Sequence, residues 1–292
     1  MSMVNNFWFF VAKKYSRFYG FLKDNFNIHI RGLGFVMRKV KTDHQLLVNG
    51  RHLYFSHAMA EAYARPLHGK WNEPETHKII AHVMDKLKVN FIDVGANIGE
   101  ILVDIAAHPH CANAIAFEPN LDAVAIINKN ITLNSLTNCT VINKALGHMK
   151  ATQQMSFGSH SPTASLLSFD SVFGACINVE ISTLDSEIDI SALMAFNIIL
   201  LIDVEGYELN VIRGAGGLIS ASKPLIIFEY HQETKKVFEL AAMQVELGDA
   251  YQIYRVRKDA MLDSDVENAW NCIAIPRNTQ FEMIMKSQII SS

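Results

Sequence analysis

Short apolar runs alternate with amphipathic segments along most of the chain, and this alternation predicts an α/β fold. Nearly continuous apolar runs are typical of parallel strands that are covered on both faces. They lie at residues 89–94, 114–117, 140–142, 196–202 and 225–228. Two later runs, 251–257 and 270–275, predict an antiparallel pair that closes the sheet. We therefore expect a seven-stranded, mostly parallel sheet with helices on both faces.

The first forty residues follow a different pattern, in which aromatic and basic side chains are interleaved. The aromatic residues are Phe7, Trp8, Phe9, Phe10, Tyr15, Phe18, Tyr19, Phe21, Phe26 and Phe35, the bases are Lys13, Lys14, Arg17, Lys23, Arg31, Arg38 and Lys39, and Asp24 is the only acid. A helix over residues 4–24 would gather aromatics on one side and bases on the other. That helix suits either peripheral contact with an anionic membrane or packing of its aromatic face on the rest of the chain or on a second subunit, as in a homodimer.

The segment between this helix and the sheet predicts a small hairpin followed by helical turns. Strand-like residues flank an Asn-Gly turn within 44–56. Residues 57–87 are helical in pattern, with Pro66 and Pro74 as interruptions, and 71–87 would lead into the sheet. We therefore divide the chain into an N-terminal, mainly helical extension at 1–84 and a second domain at 85–292.

Residues 148–176 break the regular alternation and are rich in serine and other polar residues. Loops on a rigid α/β scaffold often carry specificity, so this segment suits a lid or an acceptor loop. An insertion at the edge of the fold, with serines that are merely solvated, explains the composition equally well.

The turn after the strand at 89–94 is the most informative stretch. Gly95 and Gly99 stand four residues apart between that strand and the next predicted helix. Glycine permits positive φ and close approach of a ligand, and the helix N-terminus offers free N–H groups. Ala96 is followed by Asn97 where a dinucleotide-binding fingerprint needs its middle glycine, which disfavours a dehydrogenase. The spacing favours a cofactor bound through an amino-acid-like head and a ribose.

Acidic residues follow three of the other predicted strands. Glu118 ends the second strand, at the position where such folds bind ribose hydroxyls. Asp203 and Glu205 follow the strand at 196–202, and Glu229 and His231 follow the strand at 225–228. Carboxyl ends of parallel strands meet at one edge, so these groups are expected near one another.

At this point the chain resembles the S-adenosylmethionine-dependent methyltransferases with a Rossmann-like fold, and specifically the FkbM family. The matching segments are Phe91–Gly99, Ala116–Asn120, Asn130–Asn134, Ala145–Gly147, Thr183–Asp185, Ile202–Glu208 and Phe228–His231. They occur in the family's order and cover about residues 88–276. Leu201 stands where the family often has lysine, and His148 stands where it often has an acid.

The resemblance implies S-adenosylmethionine as the cofactor. Seven residues are expected in its site: Asp93, Gly95, Asn97, Gly99, Glu118, Asn143 and Ala145. Asp93 and Gly95 would lie near the amino-acid head, Asn97 and Gly99 would shape the turn, and Glu118 would accept bonds from the ribose hydroxyls. Residues 143–146 would form a wall beside the adenine. Two structural alternatives stay open: Asp93 as a helix cap, and 143–146 as an ordinary loop.

Transfer of a methyl group to a neutral hydroxyl needs alignment of the reactants and a base. The preferred base is Glu205, followed by His231 and then Asp203, with Glu229 beside them, because clustered acids raise one another's pKa. These groups would otherwise bind substrate hydroxyls or hold the loop. Three carboxylates also suit magnesium or calcium. We nevertheless expect no metal, since neighbouring carboxylates more often bind hydroxyls or water.

Composition excludes some other classes. Half of the 292 residues are hydrophobic, which is ample for a core, and the formal net charge of -3 argues against a nucleic-acid partner. The four cysteines form no C-x-x-C pair, so neither a zinc site nor a disulfide framework is indicated. A reducing cytoplasm is the simplest compartment, with membrane association through residues 4–24 left open.

The leading hypothesis is an O-methyltransferase. Resemblance to the FkbM family implies a hydroxyl-bearing acceptor, and an edge rich in acids favours a sugar, glycan or glycolipid. A natural-product methyltransferase of the polyketide type is a second hypothesis, and it would call for a more apolar acceptor pocket. A binding protein that keeps the fold without catalysis is a third.

Overall fold

The computed structural model describes residues 3–26, 32–157, 164–165 and 176–290. Its helices are α1 (Met3–Phe26), α2 (Leu33–Met37), α3 (Pro74–Met84), α4 (Glu100–Ala106), α5 (Leu121–Leu133), α6 (Leu184–Glu187), α7 (Ile190–Leu193), α8 (Glu208–Arg213), α9 (Gly216–Ser222), α10 (Leu240–Leu247) and α11 (Gln280–Met285). Short 3-10 helices occur at His57–Tyr63, Pro66–His68, Thr234–Lys236 and Lys286–Gln288.

Its strands are β1 (His44–Val48), β2 (Arg51–Phe55), β3 (Val89–Val94), β4 (Cys111–Phe117), β5 (Cys139–Ile142), β6 (Ala145–Leu146), β7 (Ala151–Phe157), β8 (Ala164–Ser165), β9 (Cys176–Ser182), β10 (Asn197–Ile202), β11 (Leu225–Glu229), β12 (Tyr251–Val256), β13 (Leu262–Asp263) and β14 (Asn271–Pro276). Strands and helices alternate through most of residues 85–290, as the apolar pattern predicts.

The main sheet has the strand order β13-β12-β14-β11-β10-β3-β4-β5. The five strands from β11 to β5 are parallel, and β14, β12 and β13 run antiparallel to their neighbours. The prediction of an α/β, Rossmann-like, mostly parallel sheet is confirmed. All seven expected strands are present, and the two-residue β13 adds an eighth at the edge.

The central strands position the site. Every residue of β3 is buried, and so are the last five of β10, because helices cover both faces of the sheet. These two strands pair in register from Val89 beside Asn197 to Val94 beside Ile202. Since they end at the same level, the turns that follow them meet at the carboxyl edge of the sheet.

A second, four-stranded sheet has the order β6-β9-β7-β8. Most of it is formed by the antiparallel pair β7 and β9, which aligns Ala151 with Ile181 and Ser156 with Cys176. The polar segment at 148–176 is therefore partly strand, although its composition suggests only a loop. Residues 158–163 and 166–175, on which the lid hypothesis also rests, lie outside the described residues.

The predicted hairpin is present as β1 and β2, and two asparagines in and directly after α5 attach it to the rest of the fold. The backbone N–H of Tyr54 donates to Asn130 Oδ1 at 2.6 Å, and that of His52 donates to Asn134 Oδ1 at 2.9 Å. Asn130 also donates from Nδ2 to Ile98 O at 2.8 Å, in the glycine turn. One buried side chain thus links the extension to the turn after β3.

The helix predicted at 71–87 begins three residues later, at Pro74. Proline fits the first helical position because its missing N–H is not needed there. The preceding residues, Asn72 and Glu73, are therefore free to turn toward the sheet edge. Within the described residues, no helix is long and apolar enough to cross a membrane.

Candidate functional site

The turn after β3 lies directly against the turn after β10. Gly95 has φ 87°, and a Cβ atom on it would lie 1.9 Å from the carbonyl oxygen of Asp203. The backbone N–H of Gly95 donates to Phe117 O at 2.9 Å, so β4 holds the same turn from the other side. Only glycine fits where two backbone segments lie this close to each other.

Asn97 and Glu118 connect the glycine turn to the end of β4. The backbone N–H of Asn97 donates to Glu118 Oε2 at 2.8 Å, and that of Asn120 donates to Oε1 at 2.9 Å. Burial raises the pKa of the Glu118 carboxyl to about 7, against the effect of these two hydrogen bonds. Asn97 Oδ1 is buried and has no hydrogen-bond partner within the described part of the chain.

Two clefts meet at this turn, and both are lined by Gly95, Asn97 and Asp203. The larger, of about 700 Å³, is lined by Met59, Val94, Gly95, Asn97, Phe117, Glu118, Pro119, Asn120, Lys144, Ala145, Leu146, Met155, Asp203, Val204, Glu205 and Tyr207. The smaller, of about 480 Å³, is lined by Ala62, Asn72, Glu73, Asp93, Gly95, Ala96, Asn97, Ile98, Glu100, Ile101, Leu201 and Asp203. Because they share Gly95, Asn97 and Asp203, the two clefts form one continuous site at the carboxyl edge of the sheet.

The smaller cleft is strongly acidic. Burial, followed by the charges of Glu118 and Glu73, raises the pKa of Asp93 to about 7. Burial likewise raises the pKa of Glu100 to about 8 and raises that of Glu73. Glu73 is held by Asn271, whose Nδ2 donates to Oε2 at 2.6 Å. Asp93, Glu73 and Glu100 thus gather in one cleft, with His77 Nε2 3.9 Å from Glu100 Oε1, and this excess of carboxyl groups favours a cationic ligand.

The turn after β10 presents Glu205 to the larger cleft. Glu205 has φ 53°, in the left-handed region that non-glycine residues seldom occupy. Glu208 fixes this conformation, since its Oε1 accepts from the backbone N–H groups of Val204 and Gly206 at 3.1 Å each. Burial and then the charge of Glu73 raise the pKa of Glu205.

Glu229 lies behind Glu205 and is almost fully buried. Burial, followed by the charges of Asp203 and Glu205, raises its pKa to about 12, so it is neutral at physiological pH. Its hydrogen bond to Asp203 lowers the pKa of Asp203, but burial is the larger effect and keeps that pKa well above its usual range. A protonated Glu229 is a donor to Asp203, whereas its Oε2 is buried without a hydrogen-bond partner among the described residues.

His231 points one ring nitrogen at the acidic cluster, which consists of Asp203, Glu205 and Glu229. Its Nδ1 accepts from the backbone N–H of Thr234 at 3.2 Å, so the neutral ring carries its proton on Nε2. That nitrogen lies 3.5 Å from Glu229 Oε1 and 3.9 Å from Glu205 Oε2. In this tautomer His231 is a donor toward the carboxylates, which makes it less suited than Glu205 to accept a proton.

Glu205, Glu229 and His231 also form the one group of side chains within the described residues whose spacing would allow a metal ion. One donor atom from each of Glu205, Glu229 and His231 lies within 4.8 Å of the others. That separation permits a shared cation, although a neutral Glu229 would be a poor ligand. The expectation that the site works without a metal stays a prediction.

The structure brings most of the predicted site residues to one edge. Asp93, Gly95, Asn97, Glu118, Ala145, Asp203 and Glu205 line one or both clefts. Gly99 begins α4 and packs against Ile127, while Glu229 and His231 lie behind Glu205 and line neither cleft. Asn143 also lines neither: its Nδ2 donates to Glu118 O and Pro119 O at 2.8 and 3.0 Å and so supports the turn that carries Glu118.

The extension contributes residues to the clefts that no sequence motif marks. Met59, Ala62, Asn72 and Glu73 line the clefts, yet they lie in a segment without a motif. One local signal was available, because Glu73 precedes the proline that starts α3. Nothing in the sequence shows that this helix begins at the sheet edge.

Comparisons with known proteins point to one family. A family model described as the methyltransferase FkbM domain matches residues 93–256, which is more than half of the chain. The matched segment contains both turns and the acidic cluster. No curated protein matches the chain.

Several solved structures are similar in fold. A methyltransferase FkbM from Methylobacillus flagellatus KT is 19% identical, with 64% of this chain and 43% of that one covered and a TM-score of 0.43. The tRNA (uracil-54, C5)-methyltransferase of Pyrococcus abyssi, in complex with S-adenosyl-L-homocysteine, is 11% identical over 80% and 44% of the two chains, with a TM-score of 0.41. TYW2 of M. jannaschii, in complex with AdoMet, is 11% identical over 80% and 84%, with a TM-score of 0.42. The present chain spans less than half the length of the first two proteins.

Proposed function

This chain belongs to the FkbM methyltransferase family, and we propose that it is an S-adenosylmethionine-dependent O-methyltransferase that acts on a hydroxyl of a sugar, glycan or glycolipid. The observation that carries the proposal is the meeting of two clefts at Gly95, one acidic and one opening beside Glu205. A cationic cofactor and a hydroxyl acceptor are the reactants that such a pair of clefts suits.

The residues at the turn fit the proposed cofactor. Asn97 Oδ1 is a buried acceptor without a partner among the described residues, and a ligand donor would satisfy it. Asp93 and Glu73 would hold the α-amino group, Glu118 would accept bonds from the ribose hydroxyls, and Phe117 and Ala145 would contact the adenine. When bound, the cofactor would supply an electrophilic methyl group on a positively charged sulfur.

Glu205 is the proposed base. It combines a raised pKa with a place in the larger cleft, and 25% of its side chain is exposed, compared with 5% for Glu229 and 14% for His231. Glu205 takes the proton that the acceptor hydroxyl loses as its oxygen becomes methylated. Glu208 and His231 act as positioning residues, since one holds the turn and the other donates toward the carboxylate.

A carbohydrate acceptor suits the polar groups around this cleft. Glu205, Asn120 and Lys144 line it, and each offers a donor or an acceptor to hydroxyl groups. Its wall also contains Met155 and Tyr207, which provide apolar surface for a ring. Screening purified protein with labelled S-adenosylmethionine against sugar and polyketide acceptors separates this proposal from the natural-product alternative.

Calorimetric titration with S-adenosylhomocysteine tests the cofactor site. We expect binding by the wild type, and affinities about 10- to 100-fold lower in Asp93→Ala and Glu118→Ala, since each removes hydrogen bonds to charged groups. Asp122→Ala is the matched control, because Asp122 is an exposed acid on α5 that lines neither cleft. Circular dichroism establishes that each variant is folded. Failure of folded wild type to bind would overturn the proposed function.

Cofactor binding should release protons near neutral pH. Burial raises the pKa values of Asp93 and Glu118 to about 7, so the free protein carries part of their protons at pH 7. A bound ammonium group and hydroxyl donors favour the carboxylates and lower these pKa values. Affinity for S-adenosylhomocysteine should therefore rise from pH 6 to pH 7.5. Calorimetry at pH 7 in two buffers of different ionisation enthalpy measures the release, and equal enthalpies in both would contradict it.

A further inference from the structure

Helix α1 carries aromatic residues on two opposite faces. On the inner face, Ala12 and Ser16 are fully buried, with Trp8, Phe9, Tyr15 and Tyr19 packed against the same core cluster. Ser16 lies 2.7 Å from His68 Nδ1, which fixes this face on the 3-10 turns of the extension. About half of the aromatic residues of α1 lie on this inner face. The prediction that the helix gathers its aromatics on one side and its bases on the other is therefore wrong.

The outer face of α1 exposes a row of phenylalanines. Phe7, Phe10, Phe18 and Phe21 are each 54–58% exposed and recur at helical spacing, and the row extends about 21 Å along the helix. Phe26 is 60% exposed and continues the row, since its ring lies 5.8 Å from that of Phe21. Single exposed apolar side chains are ordinary, but a continuous row of this length marks an interaction surface.

Basic residues lie within the same row. Lys13, Lys14 and Arg17 are exposed between the phenylalanines, and Lys14 Nζ lies 4.6 Å from the centroid of the Phe10 ring. There is no acidic residue between Phe7 and Phe21. The first 41 residues hold eight of the 26 lysines and arginines but one of the 29 acids, which leaves 18 bases against 28 acids elsewhere. The outer face is therefore a localised cationic surface on an acidic protein.

We propose that the outer face of α1 binds the surface of an anionic lipid bilayer, with the helix lying parallel to the membrane. Phenylalanine rings enter the boundary between headgroups and acyl chains, and Lys13, Lys14 and Arg17 contact lipid phosphates. The charges distinguish this occupant from a second copy of the chain. In a symmetric pairing the same bases would face one another with no acid in the row to neutralise them.

This inference does not depend on methyl transfer, because the binding is measured without cofactor or acceptor. The test uses the full chain in co-sedimentation with vesicles of phosphatidylcholine alone and of phosphatidylcholine with 30% phosphatidylglycerol. We expect binding to the second and at least tenfold weaker binding to the first. Phe10→Ser/Phe18→Ser should weaken binding at least tenfold through lost apolar burial. Lys14→Gln/Arg17→Gln should weaken binding to the anionic vesicles about tenfold through lost contacts with lipid phosphates.

Matched controls remove equivalent exposed groups from the C-terminal part of the chain. Val245→Ser/Met283→Ser removes two exposed apolar side chains, and Lys258→Gln/Lys286→Gln removes two exposed bases. Neither pair should change vesicle binding. Equal binding to both vesicle types, or unchanged binding by the α1 variants, would overturn the proposal. A third result would also overturn it: wild type that does not bind vesicles but dimerises with increasing concentration in sedimentation velocity, with the dimer abolished in Phe10→Ser/Phe18→Ser.

Discussion

Replacing Gly95 with alanine is expected to abolish cofactor binding and to destabilise the protein by about 2–4 kcal/mol. The new Cβ atom would lie 1.9 Å from the Asp203 carbonyl oxygen, which is backbone and cannot rotate away. The residue also has φ 87°, which alanine adopts only with strain. The two turns must separate to accommodate the methyl group, and the site is built from both.

Calorimetry with S-adenosylhomocysteine and thermal unfolding measure the two effects. We expect affinity to fall at least 100-fold. Gly216→Ala is the control, because its Cβ would meet no atom within 4 Å and its φ is not positive. That variant should retain wild-type affinity, with a change in stability of at most about 1 kcal/mol. Wild-type affinity in Gly95→Ala would show that the cofactor does not lie at this turn.

Replacing Glu205 with glutamine should lower kcat by about 100- to 10,000-fold and leave the affinity for S-adenosylhomocysteine within about twofold of wild type. Glutamine has nearly the same shape but does not accept the acceptor's proton. Because burial raises the pKa of Glu205 above its ordinary value, the acidic limb of the wild-type kcat profile should lie above pH 4.5, with activity falling as pH decreases through it.

The measurement is a pH series of initial rates on an acceptor identified by the screen. Glu239→Gln, at an exposed glutamate that begins α10, is the matched control and should be fully active. Adding EDTA to wild type tests the expectation that no metal takes part, and activity should be unchanged. Wild-type kcat in Glu205→Gln would transfer the role of base to Asp203 or His231.

Several residues in the motifs that resemble the family hold parts of the fold together. Asn130 and Asn134 bind the backbone of β2, so they attach the extension rather than the cofactor. Asp185 accepts from the backbone N–H groups of Gly217 and Leu218 at 2.6 and 2.9 Å and caps α9. A Cβ on Gly214 would lie 2.0 Å from Gly147 O, so these glycines allow two loops to touch.

The sequence by itself determined the sheet and the edge where the site lies. Buried parallel strands require continuous apolar runs, and the residue after each run must emerge at the carboxyl edge. Glu118, Asp203 and Glu205 therefore follow from local pattern, and Asp93 is the last residue but one of its strand. The two glycines at 95 and 99 are also a local signal, because glycine is the residue that most readily adopts the positive φ both have in this turn.

Only the tertiary structure decided which groups act together. It brought Glu73 and Asn72 from the extension to Asp93, placed Glu229 behind Glu205, and assigned Asn143 to support Glu118. It also divided the aromatic residues of α1 between a buried and an exposed face. These contacts join residues that are far apart in the chain. The periodicity of apolar residues, by contrast, indicates only which face of a helix or strand a residue occupies. Burial then sets the pKa values, since desolvation depends on what packs around a carboxyl and not on its neighbours in sequence.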